Sequence, residues 1–329
     1  MPSSRSMEFA RASLALACAS LMLFCLAAPS RALAAGTLTI GTAGVMGIYH
    51  PLGGAVCRMV NVTRKTHKLR CTVAPSDGSV ANIKGVLDGS IDLGIAQSDM
   101  QYAAKMGEGP FAGTPQPRLR ALFSLYPELF NVMAREDARI GSLADLRGKR
   151  VSLGPPGSGT KATMAQVMEA VGLATSDLAS ARELKFVEMA PALCENKIDA
   201  FAFVAGHPNA VFHEAADACG VRFVPVNGGP IDALVEGRPY YGKAEIPANV
   251  YRGTGAPQPT FGTRATLVAS ADLPDDVAYA VTKAVFDHWD DFRKLHPALF
   301  GVGKAQALEG ASVPFHPGAV RYFKEAGLM

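Results

Sequence analysis

Two stretches of the chain repeat one pattern of apolar and polar positions. Thr37 to Thr42, TLTIGT, alternates as a half-buried strand does. A glycine loop, AGVMG, follows. Apolar residues at Leu52, Val56, Met59 and Val60, with Pro51 near the start, then mark one face of a helix. Further along, Arg150 to Leu153 reads as a short strand, and Gly154 to Thr163, GPPGSGTKAT, as the loop. Met164, Val167, Met168 and Val171 form the helix face. The echo continues. Asp88 to Asp99, DGSIDLGIAQSD, runs from a helix end through a buried strand into a polar turn. Glu195 to Asn209, ENKIDAFAFVAGHPN, does the same, with Ile91-Asp92 matching Ile198-Asp199.

Each half thus holds two βα units, which imply parallel sheets with ligand-binding loops at the carboxyl ends of the strands. Two similar lobes with facing loops point to a cleft between them. Duplication without a cleft is the other reading of the same pattern. Leu119 to Arg135 is an extended run with Pro127 inside it, and a first crossover between lobes is placed near Tyr126–Leu129. The densest Pro/Gly linker, Gly253 to Pro259, is taken as the return. Lobe 1 is then 36–127 plus 260–329, and lobe 2 is 128–259. A long helix over Asp275 to Leu295 and a terminal helix from Pro317 would pack on lobe 1, with Phe286 and Trp289 read as core.

The amino-terminal 34 residues read as a Sec-type signal peptide. Arg5 and Arg11 precede an apolar run from Ala12 to Ala28, and Ala32-Leu33-Ala34 is a small-x-small cleavage signal. The run is short for a retained span. Cys18 and Cys25 lack the surroundings of a lipoprotein cysteine. The protein is therefore expected to be exported to the periplasm. Lys and Arg total 32 against 29 Asp and Glu, and the leader takes three basic residues and one acidic. The remainder is close to neutral, with no basic run to serve nucleic acid.

Four cysteines lie beyond the leader: Cys57, Cys71, Cys194 and Cys219. An oxidising compartment permits disulfides, and four cysteines allow three connectivities. Cys57–Cys71 and Cys194–Cys219 are favoured because each pair lies within one segment. Four buried thiols are the alternative. No C-x-x-C spacing supports a metal site.

GPPGSGTKAT resembles a phosphate loop, but its spacing is off by one. Counting from Gly154, Gly159 falls correctly, while Thr160 sits where the lysine of G-x-x-x-x-G-K-[ST] belongs and Lys161 where the hydroxyl belongs. What survives is a helix start whose free N–H groups attract anions, or a tight turn with a Ser or Thr cap. Gly157-Ser158-Gly159 is not G-x-S-x-G. There is no H-E-x-x-H, and seven scattered histidines have no acid partner at a telling offset. The chain is not expected to be an enzyme.

Five segments carry a resemblance: LTIGTAGVMGIYHPLGGAVCRMVN, SDGSVANIKGVLDGSIDLGIAQSDM, LYPELFNVMARED, GPPGSGTKAT and GHPNAVFHEA. In this order, across nearly the whole chain beyond the leader, they resemble the TAXI family, the solute receptors of one class of TRAP transporters. The resemblance implies an α/β, two-lobed periplasmic binding protein of type II. Each lobe would be a mostly parallel sheet flanked by helices, and a two-strand hinge would join them. It also implies a monomeric receptor without cofactor, delivering a small carboxylate or amino acid such as glutamate to a multi-span carrier driven by an ion gradient. Asp77 and His50 depart from the family pattern, which has a small residue and an aromatic there.

Carried over by matching position, Gly44, Gly47 and Tyr49 would border the cleft from lobe 1. Ser79 sits at a helix start, where it is either an ordinary N-cap or a carboxylate donor. Gln97 and Ser98 end a buried strand. Ser158, Gly159 and Thr160 would form the matching anion site of lobe 2. His207 and Pro208 end its partner strand, and Tyr126 and Tyr251 would stand near the hinge. These loops hold no arginine and one lysine, Lys161, so recognition would rest on neutral donors and helix ends. A sulfonate or phosphonate receptor feeding an ABC transporter or a sensor would use the same physics.

Overall fold

Strands buried on both faces need helices above and below them, and this chain supplies both. The structure is a computed structural model that describes residues 36–329. The signal-peptide segment lies outside the described residues. Ten strands form one mixed sheet: β1 (Thr37–Gly41), β2 (Arg70–Ala74), β3 (Leu93–Gln97), β4 (Leu119–Arg135), β5 (Arg150–Ser152), β6 (Ser180–Arg182), β7 (Ala200–Ala205), β8 (Val221–Val224), β9 (Gly242–Ile246) and β10 (Gln258–Ser270). Their order is β2-β1-β3-β10-β4-β7-β5-β6, with β8 on β4 and β9 on β10.

The helices are α1 (Tyr49–Val62), α2 (Arg64–His67), α3 (Ser79–Asp88), α4 (Ser98–Met106), α5 (Gly159–Ala170), α6 (Phe186–Cys194), α7 (Ala210–Ala218), α8 (Gly229–Glu236), α9 (Asp275–Phe286), α10 (Trp289–Arg293) and α11 (Pro317–Glu325). The apolar stripes read from the sequence face inward: Leu52, Val56 and Val60 of α1 and Met164 and Val167 of α5 are buried. Among the described residues no helix is long and apolar enough to cross a membrane.

β1, β2 and β3 pair in parallel, as do β5, β6 and β7. β4 and β10 run antiparallel to each other between these two groups. The carboxyl half of β10 pairs with β3 and its start with β9, while β4 passes from β10 to β7 at Leu129. Two long strands therefore carry the chain from one parallel group to the other. They leave little room at Gly262, where a Cβ would lie 3.0 Å from the Glu128 carbonyl oxygen.

The two groups repeat a clamp. Asp92 Oδ2 accepts from Thr39 N at 2.7 Å and Asp199 Oδ2 from Arg150 N at 2.8 Å. Each aspartate thus fixes the neighbouring parallel strand at the same point, which is why Ile-Asp recurs before both buried strands. Both disulfides form as favoured, Cys57–Cys71 and Cys194–Cys219.

One element differs from expectation. The helix read over Asp275 to Leu295 ends at Phe286 and restarts at Trp289. Phe286, Trp289 and Phe292 are all buried, and Trp289 Nε1 donates to the Val302 carbonyl at 3.3 Å. The turn at Asp287–His288 lets these rings share one core, whereas the apolar spacing runs on across the break.

Candidate functional site

Two helix starts approach each other between the strand groups. α3 follows Gly78, whose φ of 112° suits glycine. α5 follows Ser158, which caps it: Ser158 Oγ accepts from Lys161 N at 3.1 Å and donates to the Pro155 carbonyl at 2.7 Å. The two starts are also bonded to each other, because Val80 N and Ala81 N both donate to the Gly157 carbonyl at 3.1 Å. Two of the α3 donors are thereby used across the gap. The first N–H groups, those of Ser79, Gly159 and Thr160, have no intrahelical acceptor and belong to residues lining the space between.

That space is a cavity of about 30 Å³. Gly47, Tyr49, Ser79, Gln97, Tyr126, Ser158, Gly159 and Thr160 line it, so eight of the thirteen positions carried over by resemblance come together in one place. Phe186 and Phe203, stacked with centroids 4.1 Å apart, form an apolar wall that the sequence reading missed. The other five positions are elsewhere. Gly44 closes a tight turn, its carbonyl accepting from Gly47 N at 2.8 Å, and faces an outer depression with Asp77 and Pro155. Ser98 is buried and ties the chain to itself, donating to the Tyr240 carbonyl and accepting from Arg264 N.

His207 and Pro208 do not line the cavity. Tyr251 OH accepts from Asn209 N at 2.9 Å and so donates to His207 Nδ1 at 2.7 Å. Asn131 Nδ2 donates to backbone carbonyls, so its Oδ1 accepts from His207 Nε2 at 2.9 Å. The imidazole is fully satisfied while neutral, and burial pushes its pKa down to about 4. Tyr251 serves this cluster rather than a cavity wall. His50 meets Thr42 Oγ1 at 3.3 Å, away from the cavity.

Ser158 also needs correction as a side-chain donor, because its Oγ accepts from Lys161 N and gives its proton to the Pro155 carbonyl. Thr160 Oγ1 accepts from Val204 N at 3.1 Å and keeps its own proton to donate. Replacing both with alanine is therefore expected to destabilise the protein. A lost N-cap costs about 1 kcal/mol, and a buried unpaired Val204 N–H about 1–3 kcal/mol. A calorimetric scan should show the double variant melting roughly 5–10 °C lower. A melting temperature equal to that of the parent would refute this assignment.

The carboxyls were the other residues missed. Glu128 is buried on β4, where Tyr49 OH donates to Oε1 at 2.8 Å and Tyr126 OH to Oε2 at 3.2 Å. Burial, with the Asp99 charge adding to it, pushes its pKa up to about 8 against the lowering effect of those hydroxyls. Asp99 accepts from Thr163 Oγ1 at 2.6 Å, Tyr241 OH at 3.0 Å and Gln97 Nε2 at 3.2 Å. Burial raises its pKa to about 6, with the hydrogen bonds opposing. Lys161 does not balance them: its ammonium pairs with Glu183 at 2.7 Å on the outside. The signal for Glu128 was present as an isolated charge inside the apolar run SLYPELF, next to the expected crossover. Among the described residues no group of three or more His, Cys, Asp or Glu is placed to hold a metal ion.

The NMT1-like family model matches residues 40–327, almost every described residue. The chain belongs to the NMT1-like family. Solved structures share its fold. A Bordetella bronchiseptica protein superposes on this NMT1-like chain with a TM-score of 0.53 at 19% identity, covering 89% of each chain. MatC from Rhodopseudomonas palustris, solved with bound malate, gives 0.53 at 15% identity, over 80% of this chain and 88% of its own. An ABC uptake transporter substrate-binding protein from Streptococcus pneumoniae with bound histidine gives 0.52 at 12% identity, over 85% and 97%. The α/β architecture is that of type II periplasmic binding proteins.

Proposed function

We propose that this chain is an exported solute receptor that holds a small organic acid between two lobes, 36–127 plus 260–329 and 128–259, hinged on β4 and β10. The observation that carries the reading is the pair of helix starts, α3 and α5, facing one cavity lined by hydroxyls, an amide and aromatic rings. Helix-terminal N–H groups favour anions, and no arginine or lysine lines the cavity. A carboxylate would take the N–H groups of Ser79, Gly159 and Thr160, with Phe186 and Phe203 covering its carbon skeleton.

The cavity as it stands has room for water and not for an organic acid. The lobes must part to admit a solute and close around it, which is hinge bending on the two long strands. Closure removes water and strengthens each polar contact. The receptor binds without turnover and passes its solute to a membrane carrier, which on the TAXI resemblance is of the TRAP type. An ABC partner is the second reading, favoured by the fold likeness to the Streptococcus pneumoniae protein.

A thermal-shift and calorimetry panel of malate, glutamate, histidine and a short sulfonate tests the reading. Saturable binding of a carboxylate, unaltered on recovery, supports it. Sulfonate binding alone moves the assignment to the second reading, and conversion of any acid shows an enzyme.

A further inference from the structure

The proposed anion site has a buried carboxyl behind it, and the two conflict unless that carboxyl carries a proton. Glu128 is 1% exposed. Its partners are all neutral hydroxyls: Tyr49 from α1, Tyr126 from its own strand and Thr263 from β10 at 3.5 Å. The titratable groups facing it are Tyr49, Tyr126 and, from α4, Asp99. Neighbouring cations are committed elsewhere: Arg264, beside Thr263, pairs with Glu309 at 3.3 Å. His207 is held neutral by Tyr251 and Asn131.

From Glu128 a chain of hydroxyls leads to the cavity. Tyr49 OH lies 2.8 Å from Glu128 Oε1 and 3.4 Å from Ser79 Oγ. Ser79 Oγ accepts from Gln97 N at 3.1 Å, a donor whose direction is fixed. Each hydroxyl has one proton to give, so the chain has two polarities. With Glu128 ionised, Tyr49 donates to the carboxylate, and Ser79 donates back to Tyr49. With Glu128 neutral, its O–H donates to Tyr49 Oη, Tyr49 donates to Ser79 Oγ, and the Ser79 proton turns away from Tyr49, toward Gln97 Oε1 at 3.5 Å and the cavity that both residues line. Tyr126 donates to Oε2 in both states.

We propose that Glu128 is a proton switch on solute binding. Its neutral form turns Ser79 into a donor toward the solute's carboxylate, and its ionised form withdraws that donor and places a like charge behind the site. Binding an organic anion is then linked to uptake of one proton by Glu128. The inference rests on the organic-acid reading above and names Glu128 as a positioning residue acting through Tyr49 and Ser79. Its burial-raised pKa, about 8, puts the switch in the range where a receptor works.

Two measurements test it. The first needs no ligand: carbon-13 NMR of side-chain-labelled glutamate follows the Glu128 carboxyl in the free protein, with Glu128→Gln identifying the signal. A titration far above the ordinary carboxylate range is expected. A midpoint near the ordinary value overturns the switch and leaves the receptor reading intact. The second is calorimetric titration of L-malate and L-glutamate between pH 6 and pH 9. In the parent protein the association constant for malate should fall about tenfold from pH 7 to pH 9, the effect of one linked proton. In Glu128→Gln that slope should fall below about twofold. The slope, not the affinity at one pH, is the readout. A pH-independent affinity in the parent overturns the proposal. So does an affinity for glutamate that rises with pH, which would mean that ionised Glu128 pairs with the ligand's ammonium. Failure of both acids at every pH removes the organic-acid reading, and the NMR titration then decides the switch alone.

Discussion

Gly159→Val is expected to hold the lobes apart and weaken solute capture at least about tenfold, roughly 1.4 kcal/mol. Gly159 is the first residue of α5, and its α-carbon lies against Gln97 and Ser79, on the opposite side of the proposed cleft. A Cβ there would collide with Gln97 Oε1 and come within 2.9 Å of Ser79 Oγ. Gln97 has little freedom to retreat, because its amide donates to Thr163 at 3.1 Å and to Asp99 at 3.2 Å. Moving it breaks the bond that ties the end of β3 to α5 and takes one of three side-chain donors from the buried Asp99 carboxyl. On the two-lobe reading proposed above, the substitution acts chiefly on closure. Small-angle scattering should show a larger radius of gyration, and calorimetry a weaker solute affinity. Unchanged values of both would remove the interlobe cavity from the proposal.

The second large effect is on stability. Replacing Cys57 and Cys71 together with serine should cost about 3 kcal/mol in the chain-entropy model, and so should replacing Cys194 and Cys219. The closed segments span 14 and 25 residues. Cys57–Cys71 ties α1 to β2. Cys194–Cys219 ties the end of α6 to the end of α7. Each pair of substitutions is expected to lower the melting temperature by roughly 6–12 °C. Reductant should do the same to the parent protein and leave the variant lacking all four cysteines unmoved. A parent protein insensitive to reductant would show that the bridges do not stabilise it.

Much of the fold was legible from short-range pattern. Alternation at Thr37 to Thr42, helix-spaced apolar residues after both glycine loops, and the repeated Ile-Asp announced two similar α/β halves. The clamps made by Asp92 and Asp199 give that repeat a physical cause. The site was legible in part. Ser79, Gln97 and Gly159 stood where polar or glycine residues interrupt buried elements. Ser158 and Thr160 stood out too, but Ser158 Oγ caps its own helix and Thr160 Oγ1 accepts from the Val204 backbone N–H. His207 was drawn in by its position at a strand end, and two hydrogen bonds consume it. Nothing in the apolar spacing marked the break at Asp287–His288, because three large rings remain in step across it.

The sequence by itself determined the local elements, the duplication and the helix starts with unspent N–H groups, and favoured one cysteine pairing, since these follow from periods and spacings within a few dozen residues. Only the tertiary structure decided which polar groups lose water, and in whose company. Tyr49 and Glu128 are 79 positions apart, and Gln97 and Thr163 are 66 apart. No local period encodes such pairs. They form because two long strands bring the parallel groups together, and burial in that seam raises the pKa of a glutamate and leaves a glycine no room for a side chain.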